Sequence, residues 1–541
     1  MLATYQKGKI IIESNFSEKD RIKSAGAYWD KVNKYWYFPL ATYSVCKKLK
    51  KIGAEFDFFL LKKEGELSIL ENESSRVKGA FYHDLPKSNT SLYAHQNKTL
   101  LFGKARGSYA DLSDCGTGKT ISTLAVINEH LKSDKNFKTL VLAPKSIILS
   151  GWVEDCEKAF PNIKIQPVIG SSLKKLEAFQ EDANIYVTNY ETMHKDWGLE
   201  KSGLNMIVCD EAVRLKNPNS KWTKAITELA LKVDYKIIIS GLITPNNLQE
   251  VYAPFNIIEP GMFGKSFYQF RHNYFTPNPF SYMNKDWVPK KDTYSKLTQE
   301  MERLIIRHNK NECLDLPEKI HTIREIPMSK EQKKHYNRMA KEFITEVEGE
   351  NVQAVSAGVK LQKLSQITSG FLYIEGEKGI DFTEFQSSKK KELINILEGE
   401  LIDEQVIIFC TYKSEIAIFK KLYPDASFIT GGQSSHSQRE EINKFKDGES
   451  KYLFANIKAA KYGLTFTNCS NVIYYSLSYS LDDLYQSQER IHRIGQTRTC
   501  NYIYLLAQYT VDKRVYNAVL KKQSLNDMIY TMIEDIKCQK N

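Results

Sequence analysis

Two groups of short apolar runs constrain the fold of this chain more than any other feature. The first group is TLVLAP (139–144), NIYVTN (184–189), NMIVCD (205–210) and KIIIS (236–240), and the second is QVIIFCT (405–411), YLFAN (452–456) and NVIYYS (471–476). Continuous β-branched runs of this length are typical of strands that are buried on both faces of a parallel sheet. Helical stretches alternate with the runs, so the sequence predicts an α/β chain with two lobes.

Changes in composition divide the 541 residues into five predicted segments. We expect a small basic and aromatic α+β module at 1–60, and a charged linker or short exposed hairpin at 61–85. The first lobe is predicted at 86–265, and a mainly helical insert with the inter-lobe region at 266–385. The second lobe is predicted at 386–541, with a brace helix at the C-terminus.

Charge and cysteine usage limit the class of protein. The 76 Lys and Arg residues exceed the 65 Asp and Glu residues, which gives a net charge of +11 and is compatible with a polyanionic partner. We find no apolar run that could span a membrane, no signal-peptide pattern, and no zinc or disulfide spacing among the nine cysteines. The sequence therefore predicts a cytoplasmic protein (nuclear if eukaryotic) with no membrane partner.

The stretch DCGTGKT (114–120) has the composition of a phosphate-binding loop. It leads into the predicted helix ISTLAVINEHLK (121–132), and backbone N–H groups at a helix N-terminus bind phosphate. Lys119 is expected to reach the β- and γ-phosphates of a nucleotide, and Thr120 to bind Mg²⁺. The alternative is a fortuitous glycine-rich turn. The residues predicted to hold the nucleotide are Gly116, Thr117, Gly118, Lys119 and Thr120.

A second motif about 90 residues later strengthens this interpretation. The hydrophobic run NMIVCD ends in Asp210, and Glu211 follows it. A carboxylate at the end of a strand can hold Mg²⁺, partly through water, and the adjacent Glu211 can orient the attacking water as a general base. A strand that merely ends in an acidic turn is the alternative. Together the two motifs predict ATP hydrolysis with Mg²⁺ as cofactor.

A third motif, YQSQERIHRIGQT (485–497), lies near the end of the chain. Arg490 and Arg493 are three residues apart, so they share one face if the segment is helical. Two guanidinium groups can bind phosphate oxygens, and arginines supplied by a second lobe can stabilise the transition state when the lobes close. The alternative is a solvated basic face.

With these motifs in place, residues 90–520 resemble the Swi/Snf ATPases of helicase superfamily two. The resemblance implies two RecA-like lobes that use ATP and Mg²⁺ to move along duplex DNA. It also implies an adenine-reading Gln96 in LYAHQ (92–96) and a nucleotide contact by Gln486. The segments that carry the resemblance further are VLAPKSIILSGWVEDC (141–156), YVTNYETM (186–193), DEAVRLKN (210–217), SGLITPNNLQE (240–250), LIIRHNKNECLDLPEK (304–319), KLSQITSGF (363–371), IIFCTYKSE (407–415) and ANIKAAKYGLTFTNCS (455–470).

The resemblance also supplies candidate DNA contacts. A motor that moves along any sequence must bind mainly the backbone phosphates, so we expect steep salt dependence and little sequence preference. The expected contacts are Lys145, Ser146, Asn189, Lys413 and Lys458.

Two positions depart from the family pattern. Val213 stands where His is usual in the DEAH-type motif, and Leu242-Ile243 stand where Thr-Pro is usual. In the family these positions lie close together and relay the state of ATP to bound DNA. Because both positions are aliphatic here, either an apolar contact replaces a polar one or the coupling is weaker.

The N-terminal segment carries a second resemblance. A strand is predicted at 9–14, a helix at 17–24 capped by Ser17 and ended by Gly26, and a strand at 34–39. FSEKDRIKSAGAYWDKVNKYWYFPL (16–40) looks like the HARP-like module of annealing helicases and short bacterial or phage modules. Lys34 and Trp36 are its expected DNA contacts, while at least one of Trp29 and Trp36 is expected to be core.

The function that the sequence predicts is a DNA-dependent ATPase. It would translocate on duplex DNA and remodel branched intermediates of replication or repair, by fork regression or annealing. One alternative is a motor that strips RNA polymerase or other proteins from DNA. Another is a DNA-structure-binding ATP switch that does not translocate. No chromatin-reading segment is recognisable in the sequence, and the compact inserts favour a bacterial or phage origin.

Overall fold

The computed structural model describes most of the chain. The described residues are 1–6, 8–86, 91–199, 202–242, 244, 247–278, 287–348, 354–376, 379–460, 465–493 and 495–521. They fall into two compact units, of which the first comprises Met1–Cys313 and the second begins at Leu314. Among the helices described, none is long and apolar enough to cross a membrane.

The N-terminal module is built on a five-stranded sheet with the strand order β3-β4-β2-β1-β5. Ile10 and Ile12 of its second strand and Ile22 of its first helix lie in a small core. The strands are β1 Leu2–Gln6, β2 Lys9–Glu13, β3 Tyr28–Asp30, β4 Tyr35–Phe38 and β5 Glu55–Phe56, and the helices are α1 Lys19–Ser24, α2 Tyr43–Lys51 and α3 Phe58–Gly79.

Three predictions for the module are confirmed, and two are corrected. The strands at 9–14 and 34–39 and the helix ended by Gly26 are present. The α-helix starts at Lys19, later than expected, because a 3₁₀ turn at Phe16–Glu18 precedes it. Asn15 and not Ser17 stands at the cap of this turn, with Glu18 accepting from the Asn15 N–H. Trp29 is 46% exposed, so it is not a core residue, whereas Trp36 is half-buried against the module's core.

The segment predicted as a linker or hairpin is instead the greater part of helix α3. Asp57 caps the helix by accepting from the N–H of Leu60, and helix-forming Leu, Lys and Glu residues follow. Its charges, which suggested a loop, form i,i+3 pairs along the helix, such as Arg76 with Glu73. Leu60 lies in the core of the module and Val77 in a core of the first lobe, so one helix joins both.

The first lobe is built on a seven-stranded parallel sheet with the order β14-β6-β11-β10-β7-β9-β8. Its four predicted runs form four of these strands. Alternate residues of each strand face two separate apolar cores, as expected for a sheet covered on both sides. The strands are β6 Tyr109–Asp111, β7 Thr139–Leu142, β8 Ile165–Pro167, β9 Ile185–Thr188, β10 Met206–Asp210, β11 Tyr235–Ile239 and β14 Ile305–Ile306, and a separate antiparallel pair is β12 Phe275–Pro277 with β13 Trp287–Pro289.

Helices cover both faces of this sheet. A π-helical segment, Ile148–Val153, precedes one of them and carries the buried Trp152. The helices are α4 Ala94–Arg106, α5 Lys119–Ser133, α6 Glu154–Ala159, α7 Ser172–Gln180, α8 Lys221–Ala230, α9 Tyr252–Ile258, α10 Phe267–Tyr274, α11 Thr293–Met301 and α12 Lys310–Cys313.

The second unit contains a six-stranded parallel sheet with the order β15-β22-β21-β18-β20-β19. The three predicted runs of the second group form its central strands. The strands are β15 Lys319–Ile326, β18 Val406–Cys410, β19 Ser427–Ile429, β20 Tyr452–Asn456, β21 Asn471–Tyr474 and β22 Cys500–Ala507, with a hairpin of β16 Phe371–Gly376 and β17 Gly379–Glu384; the helices are α13 Lys330–Glu348, α14 Ala354–Ser369, α15 Ser388–Asn395, α16 Lys413–Leu422, α17 Ser435–Lys446, α18 Ile457–Ala460 and α19 Leu481–Gln488.

The predicted two-lobed α/β architecture is therefore confirmed, but its boundaries move. Ile305–Ile306, inside the predicted insert, forms an edge strand of the first sheet. Lys319–Ile326, also inside it, pairs along its whole length with Cys500–Ala507 of the second sheet. Alternating polar residues had hidden this edge strand. Part of the predicted C-terminal brace falls on residues 522–541, outside the described residues.

Candidate nucleotide and nucleic-acid sites

The predicted phosphate-binding loop joins the C-terminal end of β6 to the N-terminus of α5. The loop follows a strand, Tyr109–Asp111, that the sequence did not reveal. Gly118 has φ +79°, and a Cβ added there would collide with the side chain of Gln96. Glycine is therefore required at this position, both by conformation and by space.

Lys119 is hydrogen-bonded to the backbone of its own loop. Its Nζ donates to the backbone oxygens of Ser113 (2.7 Å) and Asp114 (3.0 Å). These carbonyls hold the ammonium group at the loop, where a β- or γ-phosphate would replace them as its partner. Thr120, predicted to bind Mg²⁺, is half-buried in the first turn of α5.

Asp210 ends β10 and is held by two aromatic residues that are distant in sequence. Trp152 Nε1 donates to Asp210 Oδ2 at 2.8 Å, and Tyr190 Oη donates to the backbone oxygen of Asp210 at 2.7 Å. The remaining carboxylate oxygen, Oδ1, accepts from the N–H of Glu211. Glu211 has φ +52°, an uncommon conformation for a residue with a side chain, and strained backbone of this kind occurs at active sites.

Electrostatics connects the loop to the end of β10. Burial alone would lower the pKa of Lys119, but Cys115, Asp111, Glu211 and Asp210 together raise it. Burial raises the pKa of Asp210, while the Trp152 hydrogen bond and the Lys119 charge act in the opposite direction. The predicted ATP-binding lysine and the predicted metal-binding and base carboxylates are thus brought together within one lobe.

Asp111 is a site residue that sequence reasoning missed. It is fully buried at the end of β6, accepts from the N–H of Ser113, and its pKa is raised by burial and lowered by Lys119. Its position directly before the glycine-rich loop is a signal that becomes informative only once β6 is recognised as a strand.

Gln96, the predicted adenine reader, lies against the loop. It is buried, its Oε1 accepts from the Tyr93 N–H, and its Nε2 donates to the backbone oxygens of Thr117 and Gly118 at 3.4 Å each. His95 Nε2 also donates to the oxygen of Thr117, at 2.8 Å. His95 is a second residue that the prediction missed, although it stands within the quoted LYAHQ.

The segment after β14 fastens the start of the loop. The N–H of His308 donates to Ser113 Oγ at 3.0 Å, and the N–H of Lys310 donates to Asp114 Oδ2 at 3.0 Å. The His308 ring is itself held by Tyr82 and Thr99. Residues 304–310, which resemble a family motif, thus contribute to lobe 1 and position the loop.

The oxygen donors at the nucleotide site, Thr120 and Asp210, suit a magnesium ion that takes only one or two ligands from the protein. Mg²⁺ prefers oxygen ligands and usually takes one or two from protein, with phosphates and water completing the shell. Thr120 and Asp210 supply a hydroxyl and a carboxylate of this type. Within the described ranges, no group of three or more His, Cys, Asp or Glu residues is arranged to hold a metal.

The third predicted motif lies at the end of α19 and in the turns that follow. Arg490 is buried, and it donates through Nε to the backbone oxygen of Gln486 (2.7 Å) and through Nη2 to Gln486 Oε1 (3.0 Å). Arg493 Nη1 donates to Thr465 Oγ1 at 2.7 Å. The helix ends at Gln488, so the two arginines do not share a helix face as predicted; the second unit nevertheless places both within one short segment.

The predicted DNA contacts of lobe 1 surround a cluster of lysines. Lys145 and Ser146 are exposed in the turn after β7, whereas Asn189 is half-buried and bonded to Glu191 and Thr192. Burial and the charges of Lys145 and Lys195 lower the pKa of Lys175. Lys175 and Lys195 were missed, because they occur outside the quoted motifs. A cluster of lysines that repel one another is stabilised by an anion, so such a cluster is a typical binding site for the phosphate backbone of DNA.

The other predicted contacts differ in exposure. Lys413 and Lys458 of the second unit and Lys34 of the module are exposed. Trp36 is not an open stacking surface, because its ring contacts Trp29 (5.2 Å between centroids) on one side and the Lys265 ammonium of lobe 1 (5.4 Å) on another. Of the two tryptophans, Trp29 is the more exposed.

The two aliphatic departures from the family pattern lie together. Val213 and Leu242 line one narrow pocket, with Ala212, Val251 and Phe255 among its apolar neighbours. Leu242 is buried, and its N–H and C=O are both bonded to Ser240. Ile243 lies outside the described residues. The shared pocket favours the interpretation that an apolar contact has replaced a polar one.

Comparison with protein families identifies three regions. The family model of the SNF2-related domain matches residues 110–374, and that of the helicase conserved C-terminal domain matches residues 388–495. Residues 9–45 match a domain of unknown function, DUF5710. The first two regions contain the phosphate-binding loop, the Asp210-Glu211 pair and the two arginines.

The proteins similar to this chain include one from a bacterium and one from a phage. "Putative ATP-dependent helicase/translocase YwqA" of Bacillus subtilis is 28% identical over 450 residues, 80% of this chain and 47% of its own length. Protein p41 of Acyrthosiphon pisum secondary endosymbiont phage 1 is 24% identical over 76% of this chain and 92% of its own. The chain thus spans about half the length of YwqA and nearly all of p41. The structure "Sulfolobus solfataricus SWI2/SNF2 ATPase core in complex with dsDNA" is 24% identical, with a TM-score of 0.40 over 84% of this chain and 96% of that chain.

Proposed function

Because the chain belongs to the Swi/Snf-type ATPases of helicase superfamily two, we propose that it hydrolyses ATP in response to DNA and moves along the duplex. The observation that carries the proposal is the convergence, within lobe 1, of Lys119, Asp210 and Glu211. A cation, a metal-binding carboxylate and a base at one loop are what phosphoryl transfer to water requires.

Each residue has a defined role in the proposed reaction. Lys119 and the loop N–H groups bind the β- and γ-phosphates, and Thr120 and Asp210 hold Mg²⁺, which neutralises charge on these phosphates. Glu211 orients the attacking water and accepts its proton. Gln96 reads the adenine. Arg490 and Arg493, with Gln486 beside them, stabilise the charge on the transferring phosphoryl group.

The DNA track is proposed to run over the exposed cations of both lobes. Lys145, Lys175 and Lys195 supply it in lobe 1, and Lys413 and Lys458 in the second unit. Lysine ammonium groups bind backbone phosphates without reading sequence, as a translocating enzyme requires. Affinity is therefore expected to fall steeply with salt and to differ little between duplexes of equal length and different sequence.

The physiological substrate is proposed to be branched DNA of replication or repair, remodelled by fork regression or annealing. The basic module at the N-terminus supports this proposal, with Lys34 and Trp29 as its exposed cation and aromatic ring. Helix α3 is packed into the cores of both the module and lobe 1. DNA bound by the module would therefore be held at a fixed position relative to lobe 1. The module also stabilises lobe 1, since Val77 of α3 is part of that lobe's core.

A second candidate function is an ATP switch that binds DNA structures and does not translocate. The departures at Val213 and Leu242 motivate it, because these positions relay ATP state to DNA in the family. Their common pocket supports the motor instead, since apolar side chains that line one pocket can transmit a displacement as well as a polar pair can.

Displacement of a triplex-forming strand separates the two functions. A duplex carrying a third strand is incubated with protein and ATP, and release of that strand is measured with ATP turnover. The motor predicts ATP-dependent release, with Glu211→Gln inactive as control. Turnover without release would support the switch. A gel-shift panel of forks, junctions and blunt duplex then measures the preference for branches, and equal affinity for all three contradicts the remodelling proposal.

A further inference from the structure

A basic pocket lies at the junction between the N-terminal module and lobe 1. Its volume is about 230 Å³. Most of its lining comes from helix α2 of the module, with one residue from α3 and one from the segment before β14. The residues that line it are Tyr43, Ser44, Lys47, Lys48, Lys51, Glu71 and Arg303.

The positive charges of the pocket exceed its negative charge. Four of the seven lining residues are basic, and Glu71 is acidic. Glu71 is already neutralised, because it forms a largely buried ion pair with Arg106 of α4. Among the described residues, Lys47 and Lys51 form no ion pair with a carboxylate, and both are exposed. The pocket therefore keeps a surplus of positive charge at its mouth.

Arg303 is the basic residue that lobe 1 contributes to the pocket. Its Nη2 donates to the buried Glu259 at 2.5 Å, which fixes the plane of the guanidinium group. Arg303 is therefore a fixed part of the lining, and the exposed lysines of α2 are the groups that an anion in the pocket can reach.

The helix sets the spacing of the mobile cations. Lys47 and Lys51 are four residues apart, which separates them by about 6 Å along the helix axis on one face. The Lys47 ammonium lies over the Tyr43 ring, 4.4 Å from its centroid, so its position is restrained. The hydroxyl groups of Tyr43 and Ser44 provide uncharged donors beside these lysines.

We propose that this pocket binds the phosphate backbone of DNA and is the principal DNA contact of the module. The inference rests on the proposed function and specifies where the module holds its substrate. Two lysines one turn apart fit consecutive phosphates of one strand, and Arg303 lies in the lining beside them. Because the pocket includes residues of both the module and lobe 1, bound DNA would bridge them.

This placement differs from the sequence-based expectation. Lys34 and Trp36 belong to the strand side of the module, where Trp36 is engaged by Lys265. The pocket lies instead along α2. In the sequence, the closely spaced Lys47, Lys48, Lys50 and Lys51 look like an ordinary solvated basic face. Lys50 is paired with Glu64 and does not line the pocket, whereas Lys47, Lys48 and Lys51 do.

The test replaces the two exposed lysines together and measures DNA affinity against salt. Lys47→Ala/Lys51→Ala removes two phosphate contacts, so the slope of log affinity against log salt is expected to become shallower by about 1.8. Affinity for a fork at low salt is expected to fall at least tenfold. Lys47→Arg/Lys51→Arg keeps the charges and should bind like the wild type.

A matched control removes two charges elsewhere on the same unit. Lys158→Ala/Lys164→Ala replaces two exposed lysines whose partners are Glu154 and Asp182, far in sequence from the pocket. It should keep the wild-type slope. If the Lys47/Lys51 alanine variant also keeps that slope, or loses no more affinity than this control, the proposal is overturned.

Turnover of ATP distinguishes failure of this inference from failure of the proposed function. At saturating DNA, the Lys47/Lys51 variant is expected to reach the wild-type kcat, since neither lysine belongs to the nucleotide site. If the wild-type protein itself shows no DNA-stimulated turnover, the proposed function is wrong. If it is stimulated but the variant binds DNA as tightly as wild type, only the pocket assignment is wrong.

Discussion

Asp210 of the first lobe and Arg490 of the second both belong to predicted catalytic motifs, but different kinds of contact hold them. Asp210 is fixed by Trp152 and Tyr190, which come from separate elements and are buried. Arg490 is bound to Gln486, four residues before it in the same segment. Asp210 is thus bonded to residues of other elements, whereas the Arg490 guanidinium is bonded to a residue four positions before it.

The difference indicates which motif must rearrange. A carboxylate held by buried donors from other elements is preorganised, so it can accept Mg²⁺ with little movement. The Arg490 guanidinium group is bonded to Gln486 and must exchange this partner to reach a phosphate. We therefore expect changes at Lys119 and at the contacts of Asp210 to affect nucleotide and metal binding, and changes at Glu211 and the arginines to affect turnover.

Among the variants that keep ATP binding, the largest effect is expected at the arginines. Arg490→Ala and Arg493→Ala should each lower DNA-stimulated kcat by about 10³–10⁵-fold, the range for an arginine that stabilises the phosphoryl transition state. ATP affinity, measured with a fluorescent analogue, should change little. Arg324→Ala, which removes an exposed arginine paired with Glu400 in the same unit, is the control. A variant that keeps most of its stimulated activity would remove the arginine concerned from the mechanism.

Glu211→Gln is expected to lower kcat by about 10²–10⁴-fold, because the amide cannot accept a proton from water. Binding of ATP should persist, whereas Lys119→Ala should weaken it and abolish turnover. Glu177→Gln, at an exposed position of α7, controls for the loss of a carboxylate. Native turnover by Glu211→Gln would show that Glu211 is not the base.

The same distinction explains how much could be predicted from the sequence. Contiguous patterns were sufficient for the seven strands of the two apolar groups, the phosphate-binding loop and Asp210-Glu211, because each is a local signal. The hydrogen bond between Trp152 and Asp210 joins residues that are 58 positions apart, and nothing in the sequence spacing predicts that these two side chains meet. The sequence patterns also did not predict the role of Asp111, which ends a strand of only three residues.

The errors have physical causes of the same kind. Helix α3 was taken for a linker because its charged residues look like a loop, although they pair along a helix and its apolar Leu60 and Val77 are buried in two different cores. Ile305–Ile306 and Lys319–Ile326 were assigned to a helical insert, since edge strands are short or alternate with polar residues. Tertiary contacts decide these elements, and a single sequence does not display them.

Trp152→Phe tests whether Asp210 is held by tertiary contacts. The substitution keeps an aromatic ring but removes the donor to Asp210 Oδ2, so Mg²⁺ affinity is expected to fall about 10–100-fold. Because the lost hydrogen bond favours the ionised carboxylate, the pKa of Asp210 should rise further, and the affinity loss should grow as the pH falls.

The control for this prediction is Trp197→Phe. Trp197 donates to the backbone oxygen of Thr192 at 2.8 Å, so the same substitution removes a hydrogen bond of equal length away from Asp210. It should leave Mg²⁺ affinity and its pH dependence unchanged. Equal losses in both variants would mean that general destabilisation, not orientation of Asp210, explains the result.

The smallest effect is expected at Val213 and Leu242, which line one pocket. If their common pocket relays the state of ATP to bound DNA, either single substitution already breaks the relay. The second substitution then adds little further loss. Val213→Ala/Leu242→Ala should therefore lose less DNA stimulation than the two single changes predict together, with a coupling of about 1 kcal/mol, or about fivefold. Val213→Ala combined with Leu124→Ala should be additive, because Leu124 belongs to the core on the other face of the sheet. Additivity in the first pair would mean that the aliphatic replacements do not act as a unit, and the ATP switch would then account better for their presence.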